Sequence, residues 1–246
     1  VPDRKKRRRL RRLMVAFAVL LVLVFALVTV QPLWVMDALA RAVPGIVWRV
    51  ETSEPFVALT FDDGPVPGPT SLVLDLLAQH DARATFFLIG ERAAAHPDLV
   101  GAIRKRGHEL GNHAYTGRRT IRLSDEEFLD DLRRTERVLD LTGPVKVYRP
   151  PSGLILPSQL RVVRNEGYHC VLGSAYPYDP AHPPSAYIRW LVTKNLAPGV
   201  IVVLHDGIPD ASRTLDALEA ILEAGRGKGL RFVTLSELLE AGSRDR

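Results

Sequence analysis

Leu13 to Val30 is a run of eighteen consecutive residues without a charge (LMVAFAVLLVLVFALVTV), and it constrains the chain more than any other feature. As a helix it is about 27 Å long, close to the hydrocarbon thickness of a bilayer. No apolar/polar period marks one face of it, which argues against a half-buried core helix. Basic residues dominate the stretch just before it: Arg4, Lys5, Lys6, Arg7, Arg8, Arg9, Arg11 and Arg12. The positive-inside rule then keeps the N-terminal side in the cytoplasm and exports the chain beyond Val30. The expectation is a basic cytoplasmic tail at 1–12, a membrane anchor at 13–30 and a linker at 31–53 holding Pro32 and Pro44. The competing reading is a leader cleaved near Ala40, because Ala38-Leu39-Ala40 is an A-x-A site. The apolar run is longer than the roughly 7–15 residues of a signal-peptide core, which favours the anchor.

Charge gains meaning from its distribution. The whole chain is +5, which invites a nucleic-acid reading. The excess sits in the first twelve residues; residues 13–246 carry 25 bases and 27 acids. The basicity is therefore a topology signal, and no nucleic-acid partner is expected. With 46% hydrophobic and 25% charged residues the chain is not disordered. A single cysteine, Cys170, rules out a disulfide framework and reads as a small buried side chain.

Beyond residue 53, short apolar runs alternate with helical patterns. Strands are expected at 56–61, 84–89, 108–112, 146–149, 168–172, 200–204 and 231–234. The expected helices are 70–80, 97–106, 124–141, 157–166, 185–196, 212–225 and 236–241. The runs are more often continuous than alternating, as in strands covered on both faces. Ser124 and Glu127 form a capping box ahead of the stripe Phe128, Leu132 and Leu139. Repeated β-α units imply an α/β fold with a parallel sheet, open or closed into a barrel, over 54–241, leaving a short tail at 242–246.

The chemistry gathers at the strand ends, where a barrel keeps its active residues. Thr60-Phe61-Asp62-Asp63-Gly64-Pro65 ends the first run. Two adjacent carboxylates in an apolar setting need a cation or a proton. Gly111-Asn112-His113 ends the third, with His108 inside the same run as a core residue. Arg149-Pro150-Pro151-Ser152-Gly153 ends the fourth, where Arg149 can pair with a carboxylate and the prolines fix the loop that presents the Ser152 N–H. Leu204-His205-Asp206-Gly207 ends the sixth; His205 is placed to shuttle a proton, and Asp206 points elsewhere or caps the next helix. Carboxylate plus imidazole suits zinc, or divalent cobalt or nickel, and the set as a whole suits metal-assisted hydrolysis.

TFDDGP at 60–65, GHELGNH at 107–113, RPPSG at 149–153 and LHDG at 204–207 stand in an order that resembles the NodB-type polysaccharide deacetylases of carbohydrate esterase family 4. The resemblance covers roughly 54–240. It implies a distorted (β/α)7 barrel that removes N-acetyl groups from amino sugars of a glycan such as peptidoglycan or chitin. It further implies Asp62 as general base, Asp63 and His113 as metal ligands, Arg149 as the residue orienting the base, the Ser152 N–H in the oxyanion hole and His205 as general acid. The sequence departs from the family pattern twice. The position of the second metal-binding histidine is Gly117, followed by Arg118 and Arg119. The carboxylate that tunes the acid has only Asp179 as a candidate, out of the usual register. With Gly117 in place of a ligand, the alternative is a weak or inactive glycan-binding scaffold on the same fold.

Overall fold

The computed structural model describes residues 4–208 and 210–244. Its strands are β1 (Ile46–Val47), β2 (Phe56–Asp62), β3 (Thr85–Leu88), β4 (Glu109–Asn112), β5 (Lys146–Tyr148), β6 (Tyr168–Val171), β7 (Ile201–His205) and β8 (Arg231–Val233). Its helices are α1 (Arg4–Val30), α2 (Leu33–Ala42), α3 (Pro69–Gln79), α4 (Gly90–Ala95), α5 (Pro97–Lys105), α6 (Asp125–Leu139), α7 (Pro157–Asn165), α8 (Ser185–Asn195), α9 (Ser212–Gly227) and α10 (Leu235–Arg244). The capping box of Ser124 and Glu127 opens α6.

All strand pairs are parallel, in the order β1-β6-β5-β4-β3-β2-β7, with β8 beside the first half of β2. The sheet is a barrel with one incomplete seam. The segment after β6 reaches β7 through a single bridge, Ala175 to Val202. The seven expected strands are present, and β1 is an eighth.

Alternation along β2 explains the core. Val57, Leu59 and Phe61 face outward and pack under α3 and α9, with Val73, Leu77, Leu218 and Ile221. Ala58 faces the barrel interior with Phe87, Val147, Val171, Ile201 and Val233, contributed by β3, β5, β6, β7 and β8. A period of two then sends Thr60 and Asp62 along the interior face toward the mouth. The same count carries Val147 to Arg149 and Ile201 to His205. Gly111 makes room inside the barrel: a Cβ there would lie 2.5 Å from the Phe87 ring.

The expected linker at 31–53 is folded. Leu33–Ala42 is helical, Ile46–Val47 pairs with β6, and Val50 joins the interior cluster, its N–H donating to Gly199 O at 3.0 Å. Pro32 does not break the chain, because it sits at the N-cap of α2 where no N–H is required. Pro44 comes just after the helix's end. The expected tail at 242–246 is likewise part of α10 as far as Arg244, with Gly242 buried against Val50. Residues 1–3 and 245–246 of the expected tails lie outside the described residues. Within α1, Arg7–Val30 is long and apolar enough to cross a membrane, and none of its most apolar window is buried.

Candidate active site

Asp62 ends β2 at 4% exposure, and its Oδ1 accepts from Arg149 Nη1 at 2.6 Å. Arg149, 3% exposed, also donates to Thr60 Oγ1 (2.7 Å) and to Val171 O (3.2 Å). Its guanidinium lies 4.1 Å from the Phe87 ring centroid, so the space opened by Gly111 becomes the platform for the arginine. Burial pulls the Arg149 pKa down and the Asp62 charge opposes that. Its Nη2 is buried with no hydrogen-bond partner among the described residues.

Asp63 comes next in the left-handed region, φ +68°, which an aspartate tolerates better than most side chains. The turn brings its carboxylate over the mouth, where Oδ1 lies 3.3 Å from His113 Nε2. Burial raises its pKa, but the hydrogen bond and charge of His113 outweigh this and hold it low. His113 Nδ1 lies 2.8 Å from Arg149 O. A carbonyl only accepts, so Nδ1 carries a proton; the charged ring donates from Nε2 to Asp63, and the neutral ring would offer the Nε2 lone pair to a cation. Asp63 Oδ1 and His113 Nε2 therefore lie close enough for one cation to replace the proton between them.

The donors present fit a divalent cation in type and placement, and they are two. No group of three or more His, Cys, Asp or Glu residues able to hold a metal occurs among the described residues. Catalytic zinc sites usually have three protein ligands. Gly117 lines the same cavity with φ +67°, and a Cβ there would meet Ile89 Cδ1 at 2.5 Å. Backbone and neighbour are thus both adapted to the absence of a side chain.

His205 ends β7 beside Asp62, its register partner. Its Nδ1 lies 2.9 Å from Asp179 Oδ1, and its backbone N–H donates to Asp179 Oδ2 at 2.8 Å. Thr214 Oγ1 donates to the same Oδ2 at 3.0 Å. Burial alone would lower the His205 pKa. The hydrogen bond and charge of Asp179 oppose it, Asp62 and Asp63 add to that, and the result is a rise to about 9. Nδ1 is committed to Asp179, which leaves Nε2 for the cavity. Asp206 turns away from the mouth, as strand alternation requires, and accepts from Thr70 Oγ1 on α3 at 2.5 Å. Its burial raises its pKa to about 7.

Asp62, Asp63, His113, Arg149, Ser152 and His205 line one cavity of about 620 Å³. Ser152 is exposed at its rim with φ +65°. His108 is a core residue: its Nδ1 accepts from Ala84 N–H at 3.2 Å, and its pKa falls to about 4 through burial, then Arg106 and Arg83. Cys170 is buried among apolar side chains. Three contributors were not singled out in the sequence. Thr60 positions Arg149, and the Tyr176 ring lies 5.8 Å from the His205 ring. Arg92 donates to Asp63 O and Gly207 O, both at 2.6 Å, and so ties the segments after β2 and β7 together. Thr60 lies inside TFDDGP and was open to notice; the other two are defined only by tertiary contacts.

The polysaccharide deacetylase family model matches residues 49–171. A peptidoglycan-N-acetylglucosamine deacetylase of Bacillus cereus is 41% identical over 198 residues, covering 79% of this chain and 92% of the relative. A chitooligosaccharide deacetylase of Sinorhizobium fredii is 35% identical over 214 residues, covering 80% and 96%. A solved peptidoglycan N-acetylglucosamine deacetylase superposes with a TM-score of 0.76 at 33% identity, covering 80% of this chain and 94% of that one. The fold, the strand-end residues and these likenesses together place the chain in the polysaccharide deacetylase family, as a NodB-type carbohydrate esterase of family 4. It is a hydrolase of the class that cleaves the amide of N-acetylated sugars.

Proposed function

We propose that the protein is a membrane-anchored deacetylase that hydrolyses the acetamide of N-acetylglucosamine units in an extracytoplasmic glycan, peptidoglycan or a chitin-like oligosaccharide. One observation carries the reading: a buried Asp62–Arg149 pair and a buried Asp179–His205 pair open onto one cavity. Asp62, paired with Arg149, takes a proton from the attacking water. The oxyanion that forms on the acetamide carbonyl meets the Ser152 N–H at the rim. His205, charged at neutral pH, gives a proton from Nε2 to the leaving nitrogen, so that one water and one amide become acetate and an amine. Asp63 and His113 would hold a divalent cation, zinc or else cobalt or nickel. Such a cation supplies Lewis-acid polarisation of the carbonyl.

Anchoring at 13–30 with the domain outside the cytoplasm is supported by the basic flank and the apolar helix. A protein cut near Ala40 would be secreted without α1 and most of α2. The test of activity is acetate release from peptidoglycan and from chitotetraose, with Asp62→Asn alongside. Loss of about 10³-fold in the variant is expected. A variant as active as the wild type contradicts the mechanism. Saturable glycan binding with no acetate from either substrate would instead favour the scaffold reading.

A further inference from the structure

The catalytic cavity has one wall that the deacetylase chemistry does not use. It is made by Leu27, Val28, Val35, Met36, Leu39 and Trp48, from the end of α1, from α2 and from the segment after it. The wall is fastened in place. Gln31 makes two hydrogen bonds to the backbone of Tyr176: its Oε1 accepts from Tyr176 N–H at 2.9 Å and its Nε2 donates to Tyr176 O at 2.5 Å. The Tyr176 ring in turn faces His205. One side chain and one ring therefore separate the end of the apolar helix from the catalytic imidazole. The last carbonyls of α1 accept from Tyr187 Oη, at 2.9 Å to Thr29 O, and from Lys194 Nζ on Val30 O.

The surroundings of that helix end match a membrane interface. Trp34 is 64% exposed on α2, and Trp190 is 46% exposed on α8 beside Tyr187, with Lys194 over its ring. Exposed tryptophans with a neighbouring lysine are the side chains that settle at the headgroup level. The Trp48 indole N–H is buried without a hydrogen-bond partner among the described residues.

From this continuity we infer that the substrate is a saccharide attached to an apolar chain at the membrane surface, a lipid-linked N-acetylated amino sugar. Its sugar enters the cavity while the first part of its chain lies along the α1–α2 wall. The inference rests on the deacetylase and anchor readings and narrows their substrate. A glycan strand far from the bilayer cannot reach a mouth held at the end of the anchoring helix, and a wholly hydrophilic substrate has no use for a wall of aliphatic side chains.

The test uses the full chain in phospholipid nanodiscs with two probes, the methyl and octyl glycosides of diacetylchitobiose. The kcat/KM for acetate release is expected to be at least tenfold higher for the octyl probe. Partitioning of the octyl chain into the bilayer raises that ratio in every variant alike. The wall is therefore read from the change in the ratio, which Met36→Asn with Leu39→Asn should cut at least fivefold and Val35→Asn in the same direction by less. Because the ratio is taken within each protein, partial loss of folded enzyme cancels. A ratio unchanged in both variants overturns the inference and leaves the deacetylase reading intact, as does a wild-type ratio near one. Acetate from neither probe overturns the deacetylase reading and this inference with it.

Discussion

Asp179–His205 and Asp63–His113 are built from the same two residue types and face one cavity, yet their rings are hung the opposite way round. In the first, Nδ1 goes to a carboxylate that is itself held by a backbone N–H and by Thr214. In the second, Nδ1 goes to a neutral carbonyl, and Nε2 meets the carboxylate. A buried carboxylate behind the ring stores a proton on it. A carbonyl behind the ring fixes the tautomer and leaves a lone pair in front. The first pair is suited to give a proton and the second to receive a cation.

The largest expected effect comes from removing the proton store. His205→Ala should lower kcat for acetate release by about 10³-fold, within the usual range for a general acid. His113→Ala should abolish zinc or cobalt binding by titration calorimetry, whereas His205→Ala should still bind the ion. Equal binding in the two variants would mean that the division of labour is wrong. Gly117→His, which supplies the family's missing imidazole, should cost about 1–3 kcal/mol of stability, because a non-glycine residue must hold φ +67° against Ile89. Pairing it with Ile89→Ala should recover part of the melting temperature and tighten metal binding. No gain in affinity from the pair would show that position 117 does not face the cation. The smallest effect is expected from Thr214→Val, which removes one of the hydrogen bonds to Asp179 and should cost about 1 kcal/mol.

The raised His205 pKa also sets a pH dependence of stability. The group binds its proton more tightly folded than unfolded. Its contribution is fully present below pH 6.5 and is lost as pH rises through about 9.

The seven main strands were legible because their apolar runs are buried on both faces, and with them the strand ends that carry Asp62, His113, Arg149 and His205. What stayed hidden was short or distant. α4 has six residues, GERAAA, too few to show a period, and β1 has two. α2 was hidden by Pro32 and by having no fully buried residue, so that its pattern resembled a spacer. Asp179 could be named but not firmly paired across the 26 residues to His205, because an irregular segment brings it back to β7. The role of α2 as a cavity wall could not be read at all, since it depends on Gln31 finding the Tyr176 backbone 145 residues away.

The central claim is that Asp179 makes His205 the acid. The pH dependence of kcat for acetate release, in the wild type and in Asp179→Asn, tests it most directly. The wild type should lose activity as pH rises through about 9, and the variant, with kcat lower by about 10²-fold, should lose it near the ordinary histidine value. An alkaline limb at the same pH in both proteins would contradict the account.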